Sequence, residues 1–283
     1  MNAKFIKVGN SYIHYIEEGS GDPILFLHGN PTSSYIWRNI IPYLMEEGRC
    51  LAPDLTGMGN SGKPNIDYKF IDHYRYIVEF IKNMKLTNIT LVLHDWGSAI
   101  GFYYAMNHPE NVKSIAFMES IIKPWKWKDL KWNYRLGFRL LRTPGIGEAM
   151  IYWRNAFLND FLPDLVIRKL TKSEMQIYKA PFKKRSHRKP MLMWPGEIPI
   201  NGRPKDTYQI VKEYSDFLKN SNLPKLLIYG EPGAMIRKKE VKWAKKHFKN
   251  LTAFSVGYGL HFLQEDHPDK IGLRLKEWWL EIK

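Results

Sequence analysis

The sequence predicts an α/β protein with a mostly parallel sheet. Three observations lead there: short apolar β-type runs alternate with amphipathic helical stretches, the 283-residue length suits one large domain or a core carrying an insertion, and the alternation stops in a central block. The runs are Ile24-Leu25-Phe26-Leu27, Cys50-Leu51-Ala52, Ile89-Thr90-Leu91-Val92-Leu93, Ile115-Ala116-Phe117-Met118, Leu226-Leu227-Ile228-Tyr229 and Ala253-Phe254-Ser255-Val256. Each reads as a strand buried on both faces, the pattern of a parallel sheet covered by helices. Residues 1–15 read as a further strand pair, and residues 74–83 and 98–107 as helices between strands. From 122 to 204 the text turns aromatic and helical, with breaks at Pro144-Gly145, Pro163 and Pro195-Gly196, and strand patterning resumes at Leu223. The expected organisation is a discontinuous core of residues 1–121 and 205–283 with a helical cap, 122–204, laid over the sheet's carboxyl edge, where open α/β folds place ligands.

Composition narrows the function classes. Hydrophobic residues make up 44% and charged residues 25%, close to the globular average, which excludes disordered, collagenous and low-complexity chains. No apolar run approaches a membrane span, and residues 1–15 lack the pattern of a secretory signal, so a cytoplasmic protein without membrane association is expected. The single cysteine, Cys50, can form neither an internal disulfide nor a cysteine zinc cluster. Lys and Arg number 43 against 28 Asp and Glu, a net charge of +15 that would attract nucleic acid if concentrated on one face. The densest basic stretches, 183–189 and 237–249, contain no nucleic-acid module, and the second alternates like the solvated face of a helix. No nucleic-acid partner is expected.

The chemistry concentrates in three segments. Thr90-Leu91-Val92-Leu93-His94-Asp95-Trp96-Gly97-Ser98-Ala99-Ile100-Gly101 reads as buried strand, tight turn and helix start, the context of a nucleophile elbow with aspartate at its apex instead of serine. A carboxylate there can displace a leaving group from an sp³ carbon and become an ester, splitting a hard hydrolysis into two easier steps. The bland alternative makes Asp95 a helix N-cap. The loop Phe26-Leu27-His28-Gly29-Asn30-Pro31-Thr32 is placed to supply a second oxyanion N–H. In Gly257-Tyr258-Gly259-Leu260-His261, a histidine in a Gly-rich loop after the last strand suits a general base. Glu119, at the end of the fourth of these runs, could orient it. His28 and His94 read as packing or backbone-bonding residues, and Asp54 and Asp72 as turn or cap residues.

The order Asp95, Glu119, His261 is that of an α/β-hydrolase triad with aspartate replacing serine. Together with Asp54-Leu55-Thr56-Gly57-Met58-Gly59, Trp194-Pro195, Glu231-Pro232-Gly233 and Leu260-His261-Phe262-Leu263-Gln264-Glu265-Asp266, these motifs resemble the haloalkane dehalogenase family over nearly the whole chain. The resemblance implies the α/β-hydrolase fold, a mostly parallel twisted sheet flanked by helices with an inserted helical cap. It implies hydrolysis of small halogenated hydrocarbons by water to alcohol and halide, without metal or organic cofactor. In these terms Asp95 is the nucleophile, Glu119 the acid and His261 the base. Asn30 and Trp96 hold the halide through side-chain N–H groups and form the oxyanion hole through backbone N–H groups. Glu231 is a reserve candidate for the acid. Phe138, Phe157, Phe161, Leu165, Ala234, Met235 and Phe262 match positions that line the family's substrate tunnel.

Rival readings share the scaffold. An epoxide hydrolase would also use an aspartate nucleophile, but would need cap tyrosines, for which Tyr134, Tyr152 and Tyr178 are candidates, and usually an aromatic residue in place of Asn30. A coelenterazine-type luciferase resembles dehalogenases in its triad but differs in the elbow and oxyanion loop. A noncatalytic binding protein would have no need of all five functional residues.

Overall fold

The computed structural model describes residues 2–283, with the side chain of Asn133 left out; Met1, the first residue of the expected core, lies outside them. Eight strands form one sheet: β1 (Asn2–Val8), β2 (Ser11–Glu18), β3 (Pro23–Leu27), β4 (Arg49–Pro53), β5 (Ile89–Asp95), β6 (Val112–Ser120), β7 (Lys225–Pro232) and β8 (Leu251–Gly259). Their order is β1-β2-β4-β3-β5-β6-β7-β8, with β1 and β2 antiparallel and every pairing from β4 to β8 parallel. The six apolar runs and the opening strand pair all appear where the sequence placed them.

The parallel arrangement has a physical cause in the register. Leu27, Leu93, Phe117, Leu227 and Ala253 pair side by side across five strands, an apolar row running from the end of β3 through the interior of the other four. β5 is buried at every residue and β6 at all but one, so their middles are apolar and the buried carboxylates Asp95 and Glu119 stand only at their carboxyl ends. The last strand departs from the expectation. β8 is an edge strand with few buried residues, because it has only β7 as a neighbour.

Two helices follow from the sequence pattern. Helix α1 (Phe70–Asn83) buries Phe70, His73, Ile77, Phe80 and Ile81 along one stripe, and Asp72 accepts a hydrogen bond from the Lys69 N–H at its start. Helix α2 (Trp96–Asn107) is buried on nearly all sides, since it packs on β5 and β6 and is covered by the helix Lys205–Asn220. Between residues 122 and 204 no strand occurs among the described residues; short helices, including Trp132–Leu141, Lys172–Lys179 and Lys189–Glu197, alternate with tighter and wider turns.

Because six strands run parallel, the loops leaving β3, β5, β6, β7 and β8 emerge on one edge of the sheet. That edge receives the loop with Asn30, the turn at Asp95, Glu119, the loop with Ala234 and Met235, and the loop with His261. Truncation of the row that supports this edge should be severe. Phe117→Ala removes a ring with no solvent exposure that meets Phe102 edge-on at 5.3 Å. It should lower unfolding free energy in urea by about 3–5 kcal/mol without changing the fold.

Candidate active site

Asp95 sits at the corner between β5 and α2 with φ 50° and ψ −126°, a conformation that costs a non-glycine residue about 1–3 kcal/mol unless its surroundings impose it. The surroundings do. A Cβ on Gly97 would lie 2.3 Å from the Leu27 carbonyl oxygen and 2.5 Å from that of His28, and a Cβ on Gly29 would lie 2.0 Å from Asp95 Oδ1. The corner therefore closes only because both positions lack a side chain. Ser98 Oγ donates to the Asp95 carbonyl oxygen and accepts from the Ile121 N–H at 3.1 Å, which ties the corner to the chain after β6. Asp95 occupies the N-cap position of α2, but its carboxylate makes no capping bond to the helix's second or third N–H, so capping does not account for it.

Its Oδ1 accepts the Asn30 backbone N–H at 2.8 Å, and the Trp96 backbone N–H also bonds the carboxylate. Burial pushes the Asp95 carboxyl upward, more than the facing His261 charge and these two N–H groups pull it down. His261 Nε2 lies 3.6 Å from Asp95 Oδ2, and its Nδ1 is 3.2 Å from Glu119 Oε2. Burial disfavours the charged imidazole, but the hydrogen bond to Glu119 and the charges of Asp95 and Glu119 outweigh it and raise the ring's pKa.

Glu119 reaches the imidazole through an irregularity in the sheet. His94 pairs with Met118 and Asp95 with Ser120, so Glu119 is the extra residue of a bulge, with φ 44°. Bulges re-aim a side chain at a strand end. The carboxylate, with no solvent exposure, accepts N–H bonds from Ala234 (3.1 Å), Met235 (2.7 Å) and Ile236 (3.2 Å) in the loop after β7. Glu231, the reserve acid, is exposed on β7 and makes no bond to His261.

His94 Nε2 meets the His261 carbonyl oxygen at 3.0 Å, and His28 bridges the Gly29 carbonyl (2.8 Å) and the Leu55 N–H (2.9 Å). Asp54, buried, accepts from the Ser34 and Asn60 N–H groups and pairs with His14, tying the segments after β3 and β4 to strand β2.

A cavity of about 380 Å³ opens above Asp95. Asn30, Asp95, Trp96 and His261 contribute to its wall, as do all seven residues expected at the tunnel: Phe138, Phe157, Phe161, Leu165, Ala234, Met235 and Phe262. The amide oxygen of Asn30 is buried without a hydrogen-bond partner, so the side chain is not committed to a structural bond there. The Trp96 indole is held by a stack: its ring lies on Trp194 at 4.5 Å, and Trp194 lies on His73 at 4.0 Å. Burial lowers the His73 pKa to about 3, which keeps that ring neutral at the end of the stack. Of the three candidate cap tyrosines only Tyr134 reaches the cavity; Tyr178 is spent on Glu265.

Sequence reading missed several lining residues. Trp125, Leu130, Leu141, Pro195 and Ile198 join the apolar wall, and Lys131, Asp164 and Arg237 bring charge to it. Their positions depend on how short helices fold back, which no periodicity records. Glycine and serine at 29, 97 and 98 stood within quoted motifs, but their steric and bridging parts required three dimensions. Among the described residues no group of three or more His, Cys, Asp or Glu side chains could hold a metal ion.

The fold and the corner define an α/β hydrolase with an aspartate at the elbow, and a family model described as alpha/beta hydrolase fold matches residues 22–268. The chain belongs to the haloalkane dehalogenase family. It is 44% identical to a haloalkane dehalogenase of Mesorhizobium japonicum over 280 residues, covering 98% of this chain and 91% of that one, and 42% identical to one of Sphingobium indicum (95% and 92%). The crystal structure of haloalkane dehalogenase DbeA from Bradyrhizobium elkani superposes with a TM-score of 0.97 at 42% identity, covering 99% of this chain and 98% of that one.

The raised pKa of His261 sets a pH dependence of stability. Its contribution is fully present below the unfolded value near 6.5 and is lost as pH rises through the higher folded value. The stability advantage of the wild type over His261→Phe, measured by urea unfolding, should therefore be larger near pH 6 than at alkaline pH.

Proposed function

We propose that the chain hydrolyses carbon–halogen bonds of small haloalkanes to alcohol, halide and a proton through an alkyl ester on Asp95. One observation carries this reading: the elbow aspartate faces an apolar cavity with an uncommitted Asn30 amide beside it and His261 Nε2 at 3.6 Å. Residues 1–121 and 205–283 act as the core and 122–204 as the cap that excludes water. A cytoplasmic location belongs to the same proposal; Cys50, buried and unpaired, accords with a reducing compartment.

With Oδ1 held by the Asn30 N–H, Oδ2 is the free nucleophile. It bonds to the halogen-bearing carbon as the carbon–halogen bond breaks, and the halide leaves with the electron pair. The side-chain N–H groups of Asn30 and Trp96 stabilise that growing charge, which a dry, preorganised site does far better than water. In the second step His261 Nε2 takes a proton from water, and the hydroxide adds to the ester carbon. Charge develops on Oδ1, where the Asn30 and Trp96 backbone N–H groups receive it. Collapse expels the alkoxide, which takes the proton back from His261, and the regenerated carboxylic acid loses its proton to solvent. Glu119, itself held by three N–H groups, keeps Nδ1 protonated so that Nε2 is the base.

An epoxide hydrolase would need two aligned tyrosine hydroxyls over the nucleophile. Only Tyr134 lines this cavity, which speaks against that reading.

Purified protein should release halide from 1-bromobutane and 1,2-dibromoethane and leave a terminal epoxide unopened. Diol formation without halide release would overturn the proposal. Asn30→Ala should lower halide release by about 10²-fold or more while circular dichroism stays unchanged. His261→Phe should complete the displacement and stop, since the base acts only in the second step. Mass spectrometry should find the alkyl adduct on Asp95 accumulating, and its absence would count against a covalent ester.

A further inference from the structure

Four residues beyond His261 lies a carboxylate for which the two-step chemistry has no use. Glu265 is on the short helix Leu263–Asp266, and its side chain has no solvent exposure. Both oxygens are saturated. Arg38 grips it bidentately, with Nη1 to Oε1 and Nη2 to Oε2 both at 2.7 Å, while Arg168 donates to Oε2 and the Tyr178 hydroxyl to Oε1. Arg168 also donates from Nε to the Glu265 carbonyl oxygen at 2.7 Å, and Glu174 accepts from both arginines at 2.7–3.0 Å. Burial alone would push the Glu265 carboxyl up, but Arg38, Tyr178 and Arg168 together hold it below its ordinary value.

The partners come from two stretches of chain, both distant from the Glu265 helix. Arg38 ends the helical turn Ser34–Trp37 that follows the Asn30 loop. Arg168 and Tyr178 belong to the block between β6 and β7, in the stretch that starts at the cavity-lining Leu165. Backbone bonds run alongside: the His261 and Phe262 N–H groups both donate to the Leu165 carbonyl oxygen, at 3.2 and 3.3 Å, and Asp266 accepts the Ile167 and Arg168 N–H groups. One buried anion thus joins the loop of the base, the loop of the halide-binding Asn30 and the wall of the cavity.

We propose that Glu265 is a positioning residue for the second step: by clamping Arg38 and Arg168 it fixes the His261 loop against residues 165–178, so that Nε2 and the ester on Asp95 hold the attacking water between them. This inference rests on the function proposed above. Displacement needs only Asp95 and the halide donors, whereas ester hydrolysis needs the imidazole in register, and a shift of about 1 Å at such a base can slow a reaction about 10²-fold. Glu265→Gln removes the buried one of the two carboxylates at nearly constant shape and leaves Arg38 and Arg168 with Glu174 as their shared anion.

The test is rapid-mixing kinetics with 1,2-dibromoethane. Glu265→Gln should keep a full-amplitude halide burst and an alkyl adduct on Asp95, while hydrolysis of the adduct slows by about 10- to 100-fold. The pH midpoint of hydrolysis should stay where it is in the wild type, because the ring's charged partners are Glu119 and Asp95. Arg168→Lys, which spares the Arg38 grip and the core side of the cluster, should show the same selective slowing to a smaller extent and serves if Glu265→Gln does not fold. Equal slowing of both phases, a burst reduced in proportion to the folded fraction, or a displaced pH midpoint would overturn the positioning role while leaving the dehalogenase reading intact. Absence of any halide burst or Asp95 adduct in the wild type would overturn the proposed function itself.

Discussion

The close approach of two loops at Asp95 is the constraint on which the rest of the site depends. Gly97 lets the elbow turn pass under the Leu27 and His28 carbonyls, and Gly29 lets the Asn30 loop descend onto the carboxylate. Only at that separation can the Asn30 N–H reach Oδ1 at 2.8 Å. In the chemistry proposed above, the same contact sets which oxygen is free to attack and where negative charge will later collect. A methyl group at either glycine would push the loops apart and lose both functions at once.

Around this corner the protein buries two carboxylates and an imidazole, an arrangement that would be costly if the charges were unpaired. It distributes the stabilisation unevenly. Glu119 receives three backbone N–H bonds as well as His261, so its negative charge is supported by the loop after β7 independently of the imidazole. Asp95 receives two, and burial dominates its environment. The imidazole between them gains from both. The imidazole proposed as the base is thus fixed at Nδ1 by a partner whose own position does not depend on it.

Apolar walls and polar fasteners divide the work above the site. Phe157 and Phe161, with ring centroids 5.2 Å apart, and Phe138 against Trp125 at 5.9 Å give the cavity its dry surface. Dispersion between such rings is weakly directional and would not by itself fix the block between β6 and β7 in one pose over the sheet edge. The Arg38, Arg168, Glu174 and Glu265 network is directional, and its bidentate geometry specifies a single docking register. The Trp96, Trp194 and His73 stack plays the corresponding part below the cavity, where it holds the indole proposed to face the halide.

The strands and the principal helices were legible in the sequence because they rest on local periodicity: apolar runs such as Ile89 to Leu93 read as strands, and the apolar stripe of α1 is spaced for a helix. The candidate site was legible as a set of motifs, since an elbow, a loop and a histidine after the last strand each carry a signature within a few residues. Other features were not written locally. The bulge at Glu119, the nest of N–H groups that receives it and the exposure of Glu231 follow from register between strands that are distant in sequence. The half-exposed state of β8 follows from its place at the sheet edge. The charged cluster on Glu265 joins residues up to 227 positions apart, so the same Gln264-Glu265-Asp266 motif that marked the resemblance gave no hint of its partners. By itself the sequence determined the order of strands and helices and the chemical identity of the candidate nucleophile, acid and base. Tertiary structure alone decided which carboxylate meets the imidazole and which side chains enclose the cavity, because those distances are set by packing between segments that no local pattern connects.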